Sequence, residues 1–270
     1  MNSAIGLHEL GAPDGDGPVV LLAHGMEDHW RSWLPLRDRL PANWRIAAAD
    51  LPWRGGNDYR WRREACGGAW LRRAEDLLGA QADVLIGHSF GANAVLQRLT
   101  LPGGERARAA VAIAPFVREP ELAVTWRTFE RSQESFDQVI RESLTVRLGE
   151  RAASVSGELR RSIARKMIDR IGPVGFLALF EQFVDSAELA LEPVTVPTLI
   201  TAGASDPALS GARAESLAAR MPSATLRMRE HYEHFCHVRQ ADDLALAVVE
   251  FVEDSLSGPA EPLARKDGTR

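Results

Sequence analysis

The feature that most constrains the fold of this chain is a series of short apolar runs that alternate with longer amphipathic stretches. The runs show no alternation of apolar and polar residues and are punctuated by Gly, Pro or Asp. Such runs are typical of strands buried on both faces of a parallel sheet, and amphipathic stretches between them are typical of helices. The runs are residues 19–23, 46–49, 84–86, 110–113 and 198–201, and the clearest helical patterns are residues 92–101, 209–221 and 241–256. The alternation predicts an α/β fold with a mostly parallel, doubly wound sheet.

One long interval, residues 119–193, breaks this alternation. Gly149 and the Gly172–Pro173 pair divide it, because glycine commonly ends a helix and proline suits a first helical turn. About 75 residues without a strand is too long for an ordinary connection, so we expect a helical cap over the sheet. The alternative is a crossover with extra helices and no lid role. The helical patterns within the interval are residues 121–148, 158–171 and 174–190.

The predicted organisation is a core, a cap and a tail. The core comprises residues 1–118 and 194–256, and the cap comprises residues 119–193. Residues 257–270 are polar and contain two prolines, so we expect a flexible tail.

Composition excludes several classes of protein. A chain of 270 residues with 45% hydrophobic and 26% charged residues is typical of a globular protein, not of a disordered one. A net charge of −5 gives no reason to expect nucleic acid or an anionic membrane as a partner. Two cysteines, Cys66 and Cys236, argue against a disulfide framework and a zinc site. No run is long enough for a membrane helix and the N-terminus does not resemble a signal peptide, so we expect a cytoplasmic protein.

The strongest chemical motif is the pentapeptide Gly87–His88–Ser89–Phe90–Gly91. It follows the apolar run 84–86 and opens a helical pattern, which is the strand–turn–helix setting of a nucleophile elbow. A serine on such a strained turn leaves no room for a Cβ two residues to either side, which explains Gly87 and Gly91. The turn would expose the Ser89 hydroxyl and place the Phe90 amide where it can stabilise an oxyanion. A glycine-rich turn with an idle serine is the alternative.

A second candidate element follows the first apolar run, at His24–Gly25–Met26. An oxyanion hole needs a second amide donor that faces Ser89, and a strand that ends in His–Gly can turn the amide of Met26 into the site. A simple loop glycine after a strand explains the same dipeptide equally well.

A carboxylate and a histidine cluster complete the set. Asp206 follows a Gly-bearing turn at the end of the 198–201 run, where catalytic residues of parallel sheets collect, although Asp before Pro is also a common turn.

Three histidines, His231, His234 and His237, lie within seven residues. Their spacing lacks the Glu of H-E-x-x-H, which argues against zinc. One of them suffices as the base for Ser89.

These motifs resemble those of the α/β-hydrolase superfamily over roughly residues 5–256. The order Ser89, Asp206, histidine is that of the family. Its terminal loop commonly reads G-H-F-x-H, and the corresponding stretch here, residues 233–237, assigns the catalytic histidine to His234. The resemblance also implies a cap between the sixth and seventh strands. Enzymes of this family with an Asp nucleophile, such as haloalkane dehalogenases and epoxide hydrolases, are disfavoured because position 89 is Ser.

Two features depart from the family pattern. The family often has D-x-P-G after a core strand, whereas this chain has Asp50–Leu51–Pro52–Trp53, so a bulky indole replaces a glycine near the pocket mouth. Only 18 residues precede Val19, so we expect one of the family's usual leading strands to be missing.

The sequence therefore predicts a serine hydrolase that acts through an acyl-enzyme on an ester or thioester, or a lactone, of an apolar or aromatic small molecule. We expect Trp30, Trp53 and Trp126 to bind that substrate, although tryptophans are often simply buried. A ligand-binding member without turnover, an acyltransferase and a C–C bond hydrolase are the alternatives. No nucleotide-binding fingerprint is present, so no cofactor or metal is expected. The protein is expected to be a monomer or a homodimer.

Overall fold

Residues 5–257, the part of the chain that the computed structural model describes, form a sheet of seven strands. The strand order is β1-β3-β2-β4-β5-β6-β7; β1 runs antiparallel to β3, and every other pair is parallel. The five apolar runs are β2 to β6, which confirms the predicted α/β fold. The strands are β1 Gly6–Glu9, β2 Val19–Ala23, β3 Arg45–Asp50, β4 Val84–His88, β5 Ala109–Ile113, β6 Thr198–Gly203 and β7 Ala224–Arg229.

Helices flank the sheet. Helices α2 and α3 pack on each other, with α3 against β2, β4 and β5, and α1, α7 and α8 pack together, with α8 against β5. The helices are α1 Leu34–Arg37, α2 Gly67–Leu78, α3 Phe90–Thr100, α4 Trp126–Leu148, α5 Gly157–Asp185, α6 Gly211–Ala219, α7 Cys236–Arg239 and α8 Ala241–Ser257. No helix among these residues is both long and apolar enough to cross a bilayer.

The interval between β5 and β6 is helical, as its pattern predicts. Gly149, with φ of 53°, ends α4, and Gly172, with φ of 61°, kinks α5 directly before Pro173. Both breaks fall where the sequence places them. We refer to residues 119–193 as the helical insert. The insert joins β5 and β6, the fifth and sixth of the seven strands among residues 5–257. The resemblance predicts a cap between the sixth and seventh strands, and the expected absence of one leading strand accounts for the difference of one in the numbering.

The predicted division into core and cap remains a prediction. Ser257, the first residue of the predicted tail, is the last residue of α8. The rest of that tail lies outside the described residues.

The sheet brings the candidate site together. Every residue of β2, β4, β5 and β6 is buried. These strands and β7 are parallel, so their carboxyl ends meet at one edge. The loops that carry the four predicted motifs leave the sheet at that edge.

Candidate active site

The β4–α3 turn holds Ser89 in a strained backbone conformation. Its φ of 52° and ψ of −117° lie where L-residues are rarely found. A Cβ on Gly87 would lie 2.3 Å from the carbonyl oxygen of Gly91, and a Cβ on Gly91 would lie 2.1 Å from the carbonyl oxygen of Ala23. Neither position has room for a side chain. The turn is therefore built as an elbow that presents Ser89 at the sheet edge.

Ser89, His234 and Asp206 form one hydrogen-bonded chain. Nε2 of His234 lies 3.1 Å from Oγ of Ser89. On the other side of the ring, Nδ1 lies 3.0 Å from each carboxylate oxygen of Asp206. A carboxylate can only accept, so Nδ1 carries the proton and Nε2 is free to accept from the serine hydroxyl. All three residues are buried.

The loop after β6 fixes the Asp206 carboxylate. Its Oδ1 accepts a hydrogen bond of 2.7 Å from the amide of Ala208, and the Asp206 amide donates to the carbonyl oxygen of Gly203. Burial by itself would lower the pKa of His234. The charge and hydrogen bond of Asp206 outweigh that effect and raise it.

Of the three clustered histidines, the structure brings only His234 to Ser89. His231 is exposed and lies 3.1 Å from a carboxylate oxygen of Asp243. His237 is fully buried in the first turn of α7, with its ring centroid 4.9 Å from that of Trp33. Burial lowers the pKa of His237 to about 4, so it stays neutral.

The His24–Gly25–Met26 loop lies directly beside the serine. A Cβ on Gly25 would lie 3.4 Å from Cβ of Ser89. The buried His24 ring donates from Nδ1 to the carbonyl oxygen of Gly25 and accepts at Nε2 from the amide of Leu51. These bonds hold the loop against the elbow.

The two amides predicted to form the oxyanion hole, those of Phe90 and Met26, belong to the elbow and to this loop. Phe90 is the first residue of α3, so its amide has no acceptor within the helix. Met26 follows Gly25 in the loop and packs partly buried against the core.

The structure does not place the three predicted tryptophans on the cavity beside Ser89. Trp53 is fully buried, donates from its indole nitrogen to the carbonyl oxygen of His24, and so supports the loop from behind. Trp30 stacks on His8 near the edge strand β1. Trp126 is 81% exposed at the start of α4. Within the described chain, the aromatic lining comes instead from phenylalanines.

A cavity of about 300 Å³ opens at Ser89 and His234. Most of its lining residues belong to the insert, and the lining combines apolar side chains with polar and charged ones. The insert residues that line it are Leu122, Thr128, Arg131, Ser132, Glu134, Ser135, Phe136, Val139, Leu179 and Phe183. The remaining lining residues are Ser89, Phe116, Pro207, Ala208, Arg213 and His234.

A second carboxylate, Glu142 of α4, lies near Asp206 and His234. It lines an adjoining cavity of about 480 Å³ together with Asp206 and His234, and its Oε1 is buried without a hydrogen-bond partner. Burial raises the pKa of Glu142, while its charge contributes to the raised pKa of His234. Sequence reasoning missed this residue because helical spacing does not reveal which face of α4 covers the site.

One buried group beneath these residues has the composition of a metal site. Asp28, His88 and His237 each offer one ligand atom, and these atoms lie within 4.8 Å of one another. Nε2 of His88 donates to the carbonyl oxygen of His234, which ties the group to the histidine loop. A catalytic metal needs a coordination position open to substrate. None of the three residues lines the cavity at Ser89, so the group fits a packing role beneath it.

The sequence matches the pattern of the Alpha/beta hydrolase family over residues 19–248, which is most of the chain. The chain belongs to the α/β-hydrolase family. Within this α/β-hydrolase, the match spans every strand from β2 to β7.

The chain is also similar to individual proteins, one by sequence and two by structure. The chain is 34% identical over 94 residues to Epoxide hydrolase 3 of Xenopus tropicalis, which is 33% of this chain and 26% of that protein. This α/β-hydrolase therefore spans about a quarter of the length of that curated relative. A bacterial membrane phospholipase A has a TM-score of 0.70 at 18% identity, with 94% of this chain and 84% of the other covered. The thioesterase domain of the curacin biosynthetic pathway has a TM-score of 0.62 at 19% identity, with 91% and 95% covered. At such identities the two structures share the fold.

Proposed function

We propose that this protein is a serine hydrolase that cleaves an ester or thioester of an apolar or aromatic small molecule. One observation carries the proposal: Ser89, on a strained elbow, lies 3.1 Å from a histidine that is bonded to a buried carboxylate. This arrangement activates a hydroxyl for attack on a carbonyl carbon. The cavity of about 300 Å³ begins at that hydroxyl.

Acylation starts with the attack of Ser89 Oγ on the substrate carbonyl carbon. Nε2 of His234 takes the hydroxyl proton, and Asp206 stabilises the imidazolium that forms. The carbonyl oxygen becomes an oxyanion, for which the amides of Met26 and Phe90 are the proposed donors. Each such donor typically contributes ~3–4 kcal/mol to the transition state. Collapse of the tetrahedral intermediate breaks the bond to the alcohol or thiol, which leaves with the proton from His234.

Deacylation repeats the sequence with water. His234 takes a proton from a water molecule, the hydroxide attacks the acyl carbon, and the oxyanion again meets the two amides. The proton then returns to Ser89 Oγ as the acid is released. The same residues thus act twice, and no cofactor is required.

The cavity supports an apolar acyl group. Its lining includes three phenylalanines, Phe116, Phe136 and Phe183, and three charged side chains, Arg131, Glu134 and Arg213. A pocket with mostly apolar walls and few polar groups is typical of small-molecule sites. We therefore expect the acyl chain or ring to pack on the phenylalanines. The insert would act as the cap that excludes water from this group.

The chemistry of position 89 separates this proposal from epoxide opening. A carboxylate that attacks an epoxide forms an ester, which water can cleave. A serine that attacks an epoxide would form an ether, which water cannot cleave under these conditions. Ser89 therefore favours acyl substrates, even though a partial relative is named an epoxide hydrolase.

A panel of esters and thioesters tests the proposal. We expect hydrolysis of short and medium acyl or aryl-acyl substrates by the wild-type protein, and a loss of several orders of magnitude in Ser89→Ala. Ser210→Ala is the matched control, because Ser210 is exposed and its side chain caps no helix. Saturable binding without turnover would indicate a ligand-binding protein, and acyl transfer to an added alcohol would indicate a transferase.

A further inference from the structure

Glu27 is a buried acid directly after Met26 in the loop beside Ser89. Its side chain is 1% exposed. Its φ of 60° lies in the left-handed region that glycine normally occupies, yet the residue is not glycine. A charged side chain and a strained backbone at one position need strong partners to persist.

The partners of Glu27 come largely from the helical insert. Arg170 of α5 donates to its Oε2, and Arg147 near the end of α4 donates to its carbonyl oxygen. From the core, the hydroxyl of Tyr59 donates to its Oε1 at 2.5 Å. Burial, with the adjacent Glu27 charge, raises the pKa of Tyr59, so that hydroxyl keeps its proton. Both the carboxylate and the backbone carbonyl of Glu27 are therefore hydrogen-bonded.

The core fixes the same residue from the opposite side. The Glu27 amide donates to the carbonyl oxygen of Trp53 at 2.9 Å. A Cβ on Gly55 would lie 3.0 Å from the Glu27 carbonyl oxygen, so that loop has little room to shift. Tyr59 in turn lies against α5, because a Cβ on Gly175 would lie 2.5 Å from its ring. Glu27 is thus the point where the insert meets the oxyanion loop, which comprises residues 24–27.

We infer that Glu27 is a positioning residue that couples the amide of Met26 to the helical insert through Arg147 and Arg170. This inference rests on the proposed function. Without the two arginines, the buried carboxylate would lose its cationic partner and its backbone would relax from the left-handed region. Because Met26 immediately precedes it, that relaxation would displace an oxyanion donor. The insert would then set catalytic competence as well as roof the cavity.

Arg170→Met tests the coupling at the side chain. We expect kcat to fall ~10- to 100-fold, which is less than the ~10²- to 10³-fold loss from removing a donor outright. KM should change little, and the pH at which activity falls should stay the same, because neither the cavity wall nor His234 is altered. Arg170→Lys, which keeps the charge, should recover part of the loss.

Glu181→Gln is the matched control. Glu181 lies on α5 as well and forms the other close ion pair to the core, with Arg62 at 2.6 Å. Its side-chain partner among residues 5–257 is Arg62, which lies outside the loop of residues 24–27. Thermal melting of each variant would establish whether it is folded. An equal loss of kcat in Glu181→Gln and Arg170→Met would overturn the inference, since any loosened insert would then have the same effect.

Hydrogen–deuterium exchange gives a readout that does not require activity. In Arg170→Met, amides of the peptide spanning residues 24–30 should exchange faster than in the wild-type protein, and in Glu181→Gln they should not. Unchanged exchange in Arg170→Met, or unchanged kcat, would overturn the coupling. If the wild-type protein neither hydrolyses the substrates nor is labelled at Ser89, the proposed function is wrong. Faster exchange in Arg170→Met than in the wild-type protein would in that case still support the coupling.

Discussion

Both carboxylate oxygens of Asp206, a buried residue in the loop that follows β6, lie 3.0 Å from Nδ1 of His234. This bond selects the tautomer in which Nε2 accepts from Ser89. In Asp206→Asn the amide can donate to Nδ1 and favour the wrong tautomer, so kcat should fall by ~10³- to 10⁴-fold. Steady-state kinetics on a substrate from the ester panel measure this loss.

Asp243→Asn is the matched control for that variant. It removes the carboxylate of another histidine–aspartate pair, His231–Asp243, which lies at the surface. Its kcat should match that of the wild-type protein. A kcat in Asp206→Asn close to the wild-type value would contradict the assigned role of this carboxylate.

The pH dependence of activity follows from the raised pKa of His234. The general base must be neutral, so activity falls as the pH drops through that pKa, and the fall starts at a higher pH than for an ordinary histidine. Glu142→Gln removes a negative charge that raises this pKa, so the acidic limb of kcat/KM should move to lower pH. Glu130→Gln, the same change on an exposed part of α4, should not move it. A shift to higher pH in Glu142→Gln would be inconsistent with the structure.

The elbow predicts a sharp difference between two glycine substitutions. A Cβ at Gly91 would meet the Ala23 carbonyl oxygen at 2.1 Å, so Gly91→Ala should lower the unfolding free energy by ~1–3 kcal/mol. Gly211, the first residue of α6, has no atom within 4 Å of its Cβ position. Gly211→Ala should be neutral or stabilise by up to ~1 kcal/mol. Urea unfolding of the two variants measures both values, and equal stabilities would show that the elbow is not tightly packed.

Metal removal separates two readings of the Asp28, His88 and His237 group. If it serves packing, treatment with EDTA or 1,10-phenanthroline should leave hydrolysis and the melting temperature unchanged. A loss of either property that zinc restores would show that the group holds a metal ion. Metal analysis of the untreated protein provides the independent check.

The parts of the fold that local patterns predict are those buried on all sides. Strands β2 to β6 each contain one of the apolar runs, and the breaks at Gly149 and Gly172 need only glycine and proline chemistry. Strands β1 and β7 were not predicted, because they lie at the sheet edges and are only half-buried, so their residues mix polar and apolar types. The elbow glycines were predicted for the same reason that the structure shows, which is the absence of space for a Cβ.

The residues of the candidate site also differ in whether a local pattern predicts them. Ser89, Asp206 and His234 each follow a strand, so sequence order alone brings them to one edge. The cavity wall depends on how α4 and α5 lie over that edge, which periodicity does not specify. Trp53 and Trp126 illustrate this limit, because one is fully buried and the other 81% exposed. The contacts of Glu27 with Arg147 and Arg170 join residues more than a hundred positions apart.

Labelling with a fluorophosphonate tests the central claim most directly, because it reports activation of the nucleophile without knowledge of the substrate. Intact mass and peptide mapping should show a single adduct on Ser89. The adduct should be absent in Ser89→Ala, strongly slowed in His234→Ala, and unchanged in His231→Ala, whose histidine lies at the surface. No adduct under conditions that label a control serine esterase, or an adduct that does not depend on His234, would contradict the proposed triad.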